Sequence, residues 1–306
     1  MDDHQTAGRH EVATDAEFDS LVGTAPLGRR GFVAGSLGVG FAASVAPTGA
    51  LLAQTITTTA DGLRTGDVVM RARDGKAIPA YFAAPANRNG APIILVVQEI
   101  FGVHEHIRDV CRRFAREGWH AMAPELFFRQ GDPSSYPSMA QISQSLVPSV
   151  PDAQVMADLD AAADYAHTNG GDRSRLGITG FCWGGRITWL YAAHNPQVKA
   201  GVAWYGRLTG TPSANFPTQP YDIAGKLNAP VLGLYGGQDA GIPLANVEEM
   251  KRLLAQGNEN SKKSEFVVYP DAPHAFNADY RPSYRKDAAD DAMKRAVAWF
   301  RRFGVV

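Results

Sequence analysis

Apolar residues follow two patterns that alternate along the chain from about residue 66 to its end. Short continuous runs, such as the β-branched stretch 92–97, predict strands that are buried on both faces. Longer runs, in which apolar residues recur every three or four positions, predict amphipathic helices. Strands that alternate with helices predict the α/β fold class, a mostly parallel sheet with helices on both faces.

The predicted elements alternate regularly after an initial hairpin. Two strands, 66–73 and 76–84, meet at Asp74-Gly75, a dipeptide typical of tight turns between strands. Further strands are predicted at 92–97, 119–123, 175–179, 200–204, 230–235 and 265–269. Helices are predicted at 104–117, 152–169, 186–193, 244–255 and 284–303. Because ligand sites in such sheets form at the carboxyl ends of strands, the loops that follow the strands are the places to search for chemistry.

One predicted strand-to-helix turn carries a reactive side chain between glycines. In segment 180–185, Cys182 stands two residues from a glycine on each side, the spacing of the G-x-S-x-G nucleophile elbow with Cys in place of Ser. Small neighbours allow so sharp a turn, and the positive end of the following helix favours a thiolate. The alternative is an ordinary glycine-rich turn with a buried, inert cysteine.

Two later loops could supply the base and the acid that a thiol nucleophile needs. Asp239 follows the strand predicted at 230–235, and His274 lies in the loop after the next strand. The order of nucleophile, acid and histidine is that of α/β-hydrolases. Asp271 is a competing acid, but it is close to His274 along the chain and Pro273 stiffens the link.

An oxyanion hole is expected beside this cysteine. One donor should be the backbone N–H of Trp183, the residue after the nucleophile, and the second should be that of Ile100, after the strand 92–97. Glu99 stands next to the second donor at the end of a buried strand, which favours a role in the site over a surface position.

Composition limits the remaining classes. The chain has 306 residues, 45% hydrophobic and 20% charged, with a formal net charge of −1. These values suit one large domain and an extension, and they give no reason to expect a nucleic-acid partner. His104 and His106 are two residues apart, so a helix would separate them and a metal site is not expected. The elbow lacks the Lys-Ser/Thr of a P-loop, so no nucleotide is expected either.

The first 54 residues differ from the rest, and the predicted domain is 55–306. Residues 1–28 are polar and without apolar periodicity, which predicts disorder. Arg29-Arg30, then Phe32 and a Gly/Ala-rich apolar run at 35–46, are typical of a twin-arginine export signal. Such a leader predicts a partner in the export machinery and a periplasmic or secreted enzyme. The apolar run is too short and weak for stable membrane insertion, and an accidental arginine pair is the alternative.

The second cysteine, Cys111, belongs to a different environment. It shares a helical face with Ile107, Val110 and Phe114, so it is expected to be a small core residue. A disulfide between Cys111 and Cys182 is conceivable in an exported protein. It is not expected here, because one cysteine belongs on a helix face and the other on the elbow.

Five pieces of the sequence together resemble the dienelactone hydrolase family, the carboxymethylenebutenolidases. They are QEIFG at 98–102, APELF at 123–127, GFCWGG at 180–185, YG at 205–206 and HAF at 274–276, within a resemblance that covers about residues 60–304. It implies an α/β-hydrolase fold, lactone or ester hydrolysis without a cofactor, and a triad of Cys182, His274 and Asp239. It also implies that Glu99 interacts with the resting thiol and helps to activate it.

The same resemblance suggests residues that would bind substrate. Arg129 resembles an arginine that binds the carboxylate of the dienelactone, and Tyr205 and Phe276 belong to the shared motifs. Asn277 stands where dienelactone hydrolase carries a second such arginine, and the leader resembles an exported branch of the family. These departures leave the natural substrate open.

The sequence therefore predicts a cysteine hydrolase that cleaves a small lactone or activated ester through an acyl-enzyme. Two alternatives remain at this point. One is a protein on the same scaffold that senses ligands or oxidants through Cys182 without turnover. The other is a broad esterase with no preference for lactones.

Overall fold

One mixed sheet organises the part of the chain that the computed structural model describes, residues 55–306. Its strands are β1 (Leu63–Arg71), β2 (Ala77–Pro85), β3 (Ala91–Val97), β4 (His120–Pro124), β5 (Gly171–Phe181), β6 (Val198–Trp204), β7 (Val231–Gly236) and β8 (Glu265–Tyr269). Their spatial order is β1-β2-β4-β3-β5-β6-β7-β8. β2 pairs antiparallel with β1 and with β4, and the other neighbours are parallel. The predicted leader, with Arg29 and Arg30, lies outside the described residues.

Five longer helices pack against this sheet. They are α1 (Glu105–Arg116), α2 (Asp152–Thr168), α3 (Trp183–His194), α4 (Leu244–Ala255) and α5 (Lys286–Arg302). Short helical segments fill the loops at Pro133–Ser135, Met139–Gln141, Ile142–Leu146, Val147–Ser149, Pro220–Ile223, Ala224–Lys226 and Glu259–Lys262. Among residues 55–306, no helix has both the length and the apolar character needed to cross a membrane.

The strand β3 shows how deeply the centre of the sheet is buried. All seven of its residues are buried. Because successive side chains on a strand point to opposite faces, both faces of the sheet must be covered at this point. The continuous apolar run therefore predicted this strand correctly, and the α/β class expected from the alternating pattern is confirmed.

Cys111 lies on the buried face of α1, as its spacing predicted. Its side chain is fully buried, and neither Cys111 nor Cys182 forms a disulfide. Burial raises the pKa of the Cys111 thiol, so this side chain stays protonated and acts as a small apolar residue.

Candidate active site

Cys182 alone separates the end of β5 from the start of α3. Its φ of 56° lies in the left-handed region that residues other than glycine rarely adopt. Glycines permit this turn, since a Cβ on Gly180 would lie 2.2 Å from Gly184 O, and one on Gly184 would lie 2.5 Å from Gln98 O. The structure thus contains the sharp turn that the glycine spacing predicted, with α3 beginning at Trp183 instead of 186.

Unusual backbone geometry is concentrated in the loops around this turn. Within residues 55–306, three residues other than glycine have a positive φ: Cys182 (56°), Tyr205 (37°) and Ala275 (57°). They lie in the connections that follow β5, β6 and β8. A strained residue costs about 1–3 kcal/mol, and such residues cluster at functional sites. The carboxyl edge of the sheet is therefore the candidate site.

A histidine and a carboxylate meet at this edge. His274 Nδ1 lies 2.7 Å from Asp239 Oδ2, and both side chains are almost fully buried. The second oxygen, Asp239 Oδ1, accepts the backbone N–H of Gly241 at 2.9 Å, which fixes the carboxylate. Asp271, the competing acid, is exposed. The geometry therefore selects Asp239 as the partner of the imidazole.

The other ring nitrogen of His274 is open. Nε2 is buried and makes no hydrogen bond to any residue in the described part of the chain. Burial lowers the pKa of His274, but the Asp239 carboxylate and the nearby sulfur of Cys182 raise it well above its ordinary value overall. Tyr205 packs its ring against that of His274, with centroids 5.0 Å apart. The imidazole is thus held by an acid on one side and stands beside the thiol.

Glu99 is a buried carboxylate beside the turn. Its Oε2 accepts the hydroxyl of Tyr280 at 2.7 Å and lies 3.3 Å from His104 Nε2, while Oε1 is buried without a partner in the described chain. Burial raises the pKa of Glu99, but hydrogen bonding from His104 and the positive charge of Arg281 help to lower it overall to about 2. Glu99 is therefore an anion at neutral pH.

The two expected oxyanion donors lie on segments that touch. Trp183 is the first residue of α3, so its N–H has no acceptor within the helix. Ile100 lies in the turn after β3, and the close approach of Gly184 to Gln98 O brings that turn against the start of α3. The structure thus brings the segments that carry Ile100 and Trp183 together, and their role as donors stays a prediction.

Glu125 supports the turn that carries Ile100, and sequence reasoning gave it no role. Its Oε1 accepts the backbone N–H of Val103 at 3.0 Å. Burial raises the pKa of Glu125 to about 7, although the Val103 N–H opposes that shift. The motif at 123–127 contained this residue, but only the fold shows that it reaches back to the turn after β3.

Arg129 is held by two carboxylates. Its guanidinium forms an ion pair with both oxygens of Asp158 on α2 and hydrogen-bonds to both oxygens of Asp74 at 3.2 Å. Its side chain is only 9% exposed. These carboxylates occupy donors that a substrate carboxylate would need, and substrate binding by Arg129 stays a prediction.

The other predicted substrate residues lie close to the site but are buried. Phe276 is packed among aromatic rings, with its centroid 5.4 Å from that of Tyr205 and 5.1 Å from that of Tyr269, so its side chain supports Tyr205. Tyr205 OH and Asn277 Nδ2 are buried and unpartnered within the described residues. Contact between substrate and Tyr205, Phe276 or Asn277 stays a prediction.

His104 and His106 lie together, with ring centroids 6.1 Å apart. Each ring faces its own carboxylate, Glu99 for His104 and Asp279 for His106. No group of three or more His, Cys, Asp or Glu side chains within residues 55–306 is arranged to hold a metal ion.

Comparison with known proteins identifies the family. Residues 78–304 match the Dienelactone hydrolase family. This chain belongs to that family. A "Putative carboxymethylenebutenolidase" of Methylorubrum extorquens is 57% identical over 295 residues, covering 96% of this chain and 99% of the relative. The hydrolase function expected from the motifs is thereby confirmed at the level of lactone and ester hydrolysis.

A more distant relative and a solved structure agree with this assignment. A "Probable 2-oxo-3-(5-oxofuran-2-ylidene)propanoate lactonase" of Bradyrhizobium is 31% identical, covering 74% of this chain and 90% of the relative. The crystal structure of a putative dienelactone hydrolase from Klebsiella pneumoniae is 57% identical, with a TM-score of 0.76 over 79% of this chain and 99% of that chain. The protein therefore has the α/β-hydrolase fold of its family.

Proposed function

We propose that this hydrolase cleaves small lactones or activated carboxylic esters through a Cys182–His274–Asp239 triad and an acyl-enzyme, without a cofactor. The observation that carries the proposal is the orientation of His274. Its Nδ1 is held 2.7 Å from Asp239, while its Nε2 is left without a partner beside a thiol on a strained elbow. A histidine that acts as a general base needs one ring nitrogen held by a partner and the other free to accept a proton.

The chemistry follows in two halves. The thiol proton of Cys182 passes to His274 Nε2 as sulfur bonds to the substrate carbonyl carbon. The resulting oxyanion accepts the backbone N–H groups of Trp183 and Ile100, and its collapse expels the alcohol oxygen, which takes the proton from His274. Water then attacks the thioester, gives a proton to His274, and releases the acid as the proton returns to sulfur.

Asp239 stabilises the imidazolium that forms in both halves of the reaction. Although burial lowers the pKa of His274, the Asp239 carboxylate helps to raise it overall, which favours the imidazolium that forms once the ring has taken the thiol proton. Thiolates suit activated carbonyls with good leaving groups, so lactones and activated esters are the proposed substrates.

The names of the relatives support this substrate class. One is described as a lactonase and another as a putative carboxymethylenebutenolidase. Because Arg129 is engaged by Asp158 and Asp74, and Asn277 is uncharged, we expect no two-arginine clamp for an anionic substrate. Neutral lactones and esters should therefore be accepted as well as acidic ones.

The test compares two cysteine variants on p-nitrophenyl acetate and a panel of lactones. Cys182→Ala should lose at least ~10³-fold in kcat/KM, the scale expected when a triad member is removed. Cys111→Ala should keep its activity and lose about 1 kcal/mol of stability for a small cavity. A chain that binds these compounds without turning them over would be a thiol sensor, and equal turnover of esters and lactones would identify a broad esterase.

We also propose export through the leader, on the sequence of Arg29-Arg30 and the apolar run after it. The twin-arginine route carries folded proteins, which suits an enzyme that keeps a free thiol. Replacement of both arginines with lysine should leave the protein in the cytoplasm, as measured by fractionation. Unchanged periplasmic or secreted protein in that variant would contradict the proposal.

A further inference from the structure

Glu99 is held by one of its two oxygens. Both the Tyr280 hydroxyl, at 2.7 Å, and His104 Nε2, at 3.3 Å, approach Oε2. The other oxygen, Oε1, is buried and has no hydrogen-bond partner in residues 55–306. A buried carboxylate oxygen without a hydrogen-bond donor is costly in free energy. We therefore expect Oε1 to gain a donor, either in the resting enzyme or during the reaction.

One candidate partner is the thiol of Cys182, at the start of α3. Gln98, the residue before Glu99, lies against the first turn of α3, because a Cβ on Gly184 would come 2.5 Å from Gln98 O. The charges of Glu99 and Cys182 both contribute to the pKa of Tyr205, which burial raises well above its ordinary value. Glu99 and Cys182 are therefore both close enough to Tyr205 for their charges to act on it.

The surroundings of the two donors to Oε2 determine their protonation states. Burial raises the pKa of Tyr280 well above its ordinary value, and the charge of Glu99 adds to that effect, so the phenol keeps its proton and donates it. Burial lowers the pKa of His104, so the ring is neutral at pH 7 and its N–H donates to the carboxylate. The two rings contact each other edge to face at 4.9 Å.

Other charged and titratable groups also surround Glu99 and Cys182. Arg281, His106 and His104 act on Glu99, and His274, with Tyr205 packed against it, stands beside Cys182. Asp279, next to Tyr280 in the chain, pairs with Arg113 of α1 at 2.6 Å and so anchors the segment that carries Tyr280. The segment that carries Tyr280 therefore has an anchor that does not involve Glu99.

We propose that Tyr280 and His104 are positioning residues which hold Glu99 Oε2 so that Oε1 faces the Cys182 thiol, and which limit how strongly Glu99 retains the thiol proton. The proposal deepens the proposed function and rests on it. Two donors disperse the negative charge of Glu99 in a site where it would otherwise oppose formation of the thiolate. Without them, Oε1 would become a stronger acceptor and the thiol would ionise less readily.

The test measures the pH dependence of Cys182 alkylation by iodoacetamide, followed by mass spectrometry, because this readout needs no turnover. Tyr280→Phe should move the midpoint of alkylation upward by about half a pKa unit, which slows alkylation about threefold below the midpoint. Tyr221→Phe is the matched control, since its hydroxyl donates to Asn246 O and does not reach Glu99. That control should overlay the wild-type profile.

Combining each substitution with Glu99→Gln distinguishes a positioning role from a general structural effect. Glu99→Gln should lower the midpoint by removing the charge, and Tyr280→Phe should add nothing in that background. His104→Leu should act like Tyr280→Phe, while His104→Gln, which keeps an N–H donor, should restore much of the wild-type profile.

The proposal is overturned if Tyr280→Phe and His104→Leu leave the profile unchanged, or if the Tyr280→Phe shift persists in full beside Glu99→Gln. Failure of the proposed function looks different. In that case Cys182→Ala would keep its esterase activity, whatever the alkylation profiles show.

Discussion

Residues 55–306 contain two buried histidine–aspartate pairs whose surroundings differ. His274 meets Asp239 at 2.7 Å, and His106 meets Asp279 at 3.0 Å. In both pairs the contact is through Nδ1, and in both Nε2 is buried without a partner in the described chain. The pairing itself therefore does not distinguish a functional site from a structural one.

What differs is the charge around each carboxylate and the group beside each ring. Asp279 also pairs with Arg113 and accepts the backbone N–H of Ile56, so its charge is compensated in the resting protein. Within residues 55–306, Asp239 forms an ion pair with His274 alone. His274 has the thiol of Cys182 beside it, whereas His106 lies against the rings of Phe181 and Tyr280. An uncompensated acid can stabilise a proton on its histidine, and a compensated one cannot do so as well.

The largest difference is expected between the kcat/KM values of the His274→Ala and His106→Ala variants. His274→Ala should lower kcat/KM by at least ~10³-fold, because the proton acceptor for the thiol is lost. His106→Ala should change kcat/KM by less than about tenfold, since it removes no group that transfers a proton. Steady-state hydrolysis of p-nitrophenyl acetate, with circular dichroism to verify folding, measures both. Similar losses in the two variants would show that the pairs are not distinct.

The two aspartates should separate activity from stability. Asp239→Asn should cost roughly 10²- to 10⁴-fold in turnover with limited loss of stability, because the imidazole is no longer fixed and stabilised. Asp279→Asn leaves part of a buried ion network unpaired and should cost about 3–5 kcal/mol in the free energy of unfolding. Urea unfolding and kinetics on both variants test this. A stable, inactive Asp279→Asn would reverse the assignment.

The ion pair between Arg129 and Asp158 gives a third comparison, in which we expect a purely structural role. Arg129→Gln leaves Asp158, whose side chain is 1% exposed, without its guanidinium and should cost about 3 kcal/mol. Asp74→Asn is the matched control, since this partner is half-exposed and its loss should change the free energy of unfolding much less. The ratio of kcat/KM for a carboxylate-bearing lactone to that for its methyl ester should not change in Arg129→Gln. A fall in that ratio would restore Arg129 as a substrate residue.

A buried histidine without a carboxylate completes the comparison. Burial lowers the pKa of His120 from 6.5 to about 4, with a smaller contribution from Arg64. The unfolded chain therefore binds a proton more readily than the folded one between these pH values. Stability from this residue is present above pH 6.5 and is lost as pH falls toward 4, by up to about 3 kcal/mol. His120→Phe should flatten that part of the urea-unfolding profile, and an unchanged profile would contradict the account.

The sequence predicted the parts of the site that local signals define. Cys182, Asp239 and His274 each follow a strand whose apolar run was visible, so the sheet brought them to one edge without further information. Glycine spacing indicated the elbow because the close approach of Gly180 to Gly184 is a local requirement. The α/β class followed from the alternation of the two apolar patterns.

Contacts between distant segments could not be predicted in the same way. Arg129 is held by Asp74 and Asp158, and nothing local in the sequence shows that these two carboxylates reach it. Asp152, the first residue of α2, pairs with Arg186 at 2.7 Å, and no local signal in the sequence indicates that contact. Tyr280 and His104 meet at Glu99 from segments far apart in the chain, and no motif marks that convergence.

The central claim is that Cys182 carries the acyl group, and an acyl-enzyme experiment tests it most directly. The protein is mixed with excess p-nitrophenyl acetate, quenched in acid within the first turnovers, digested and mapped by mass spectrometry. The account predicts one acetyl group on the peptide that contains Cys182, none on the peptide that contains Cys111, and no acetylation in Cys182→Ala. Wild-type turnover by Cys182→Ala, or acetylation at another residue that proceeds at the rate of turnover, would contradict it.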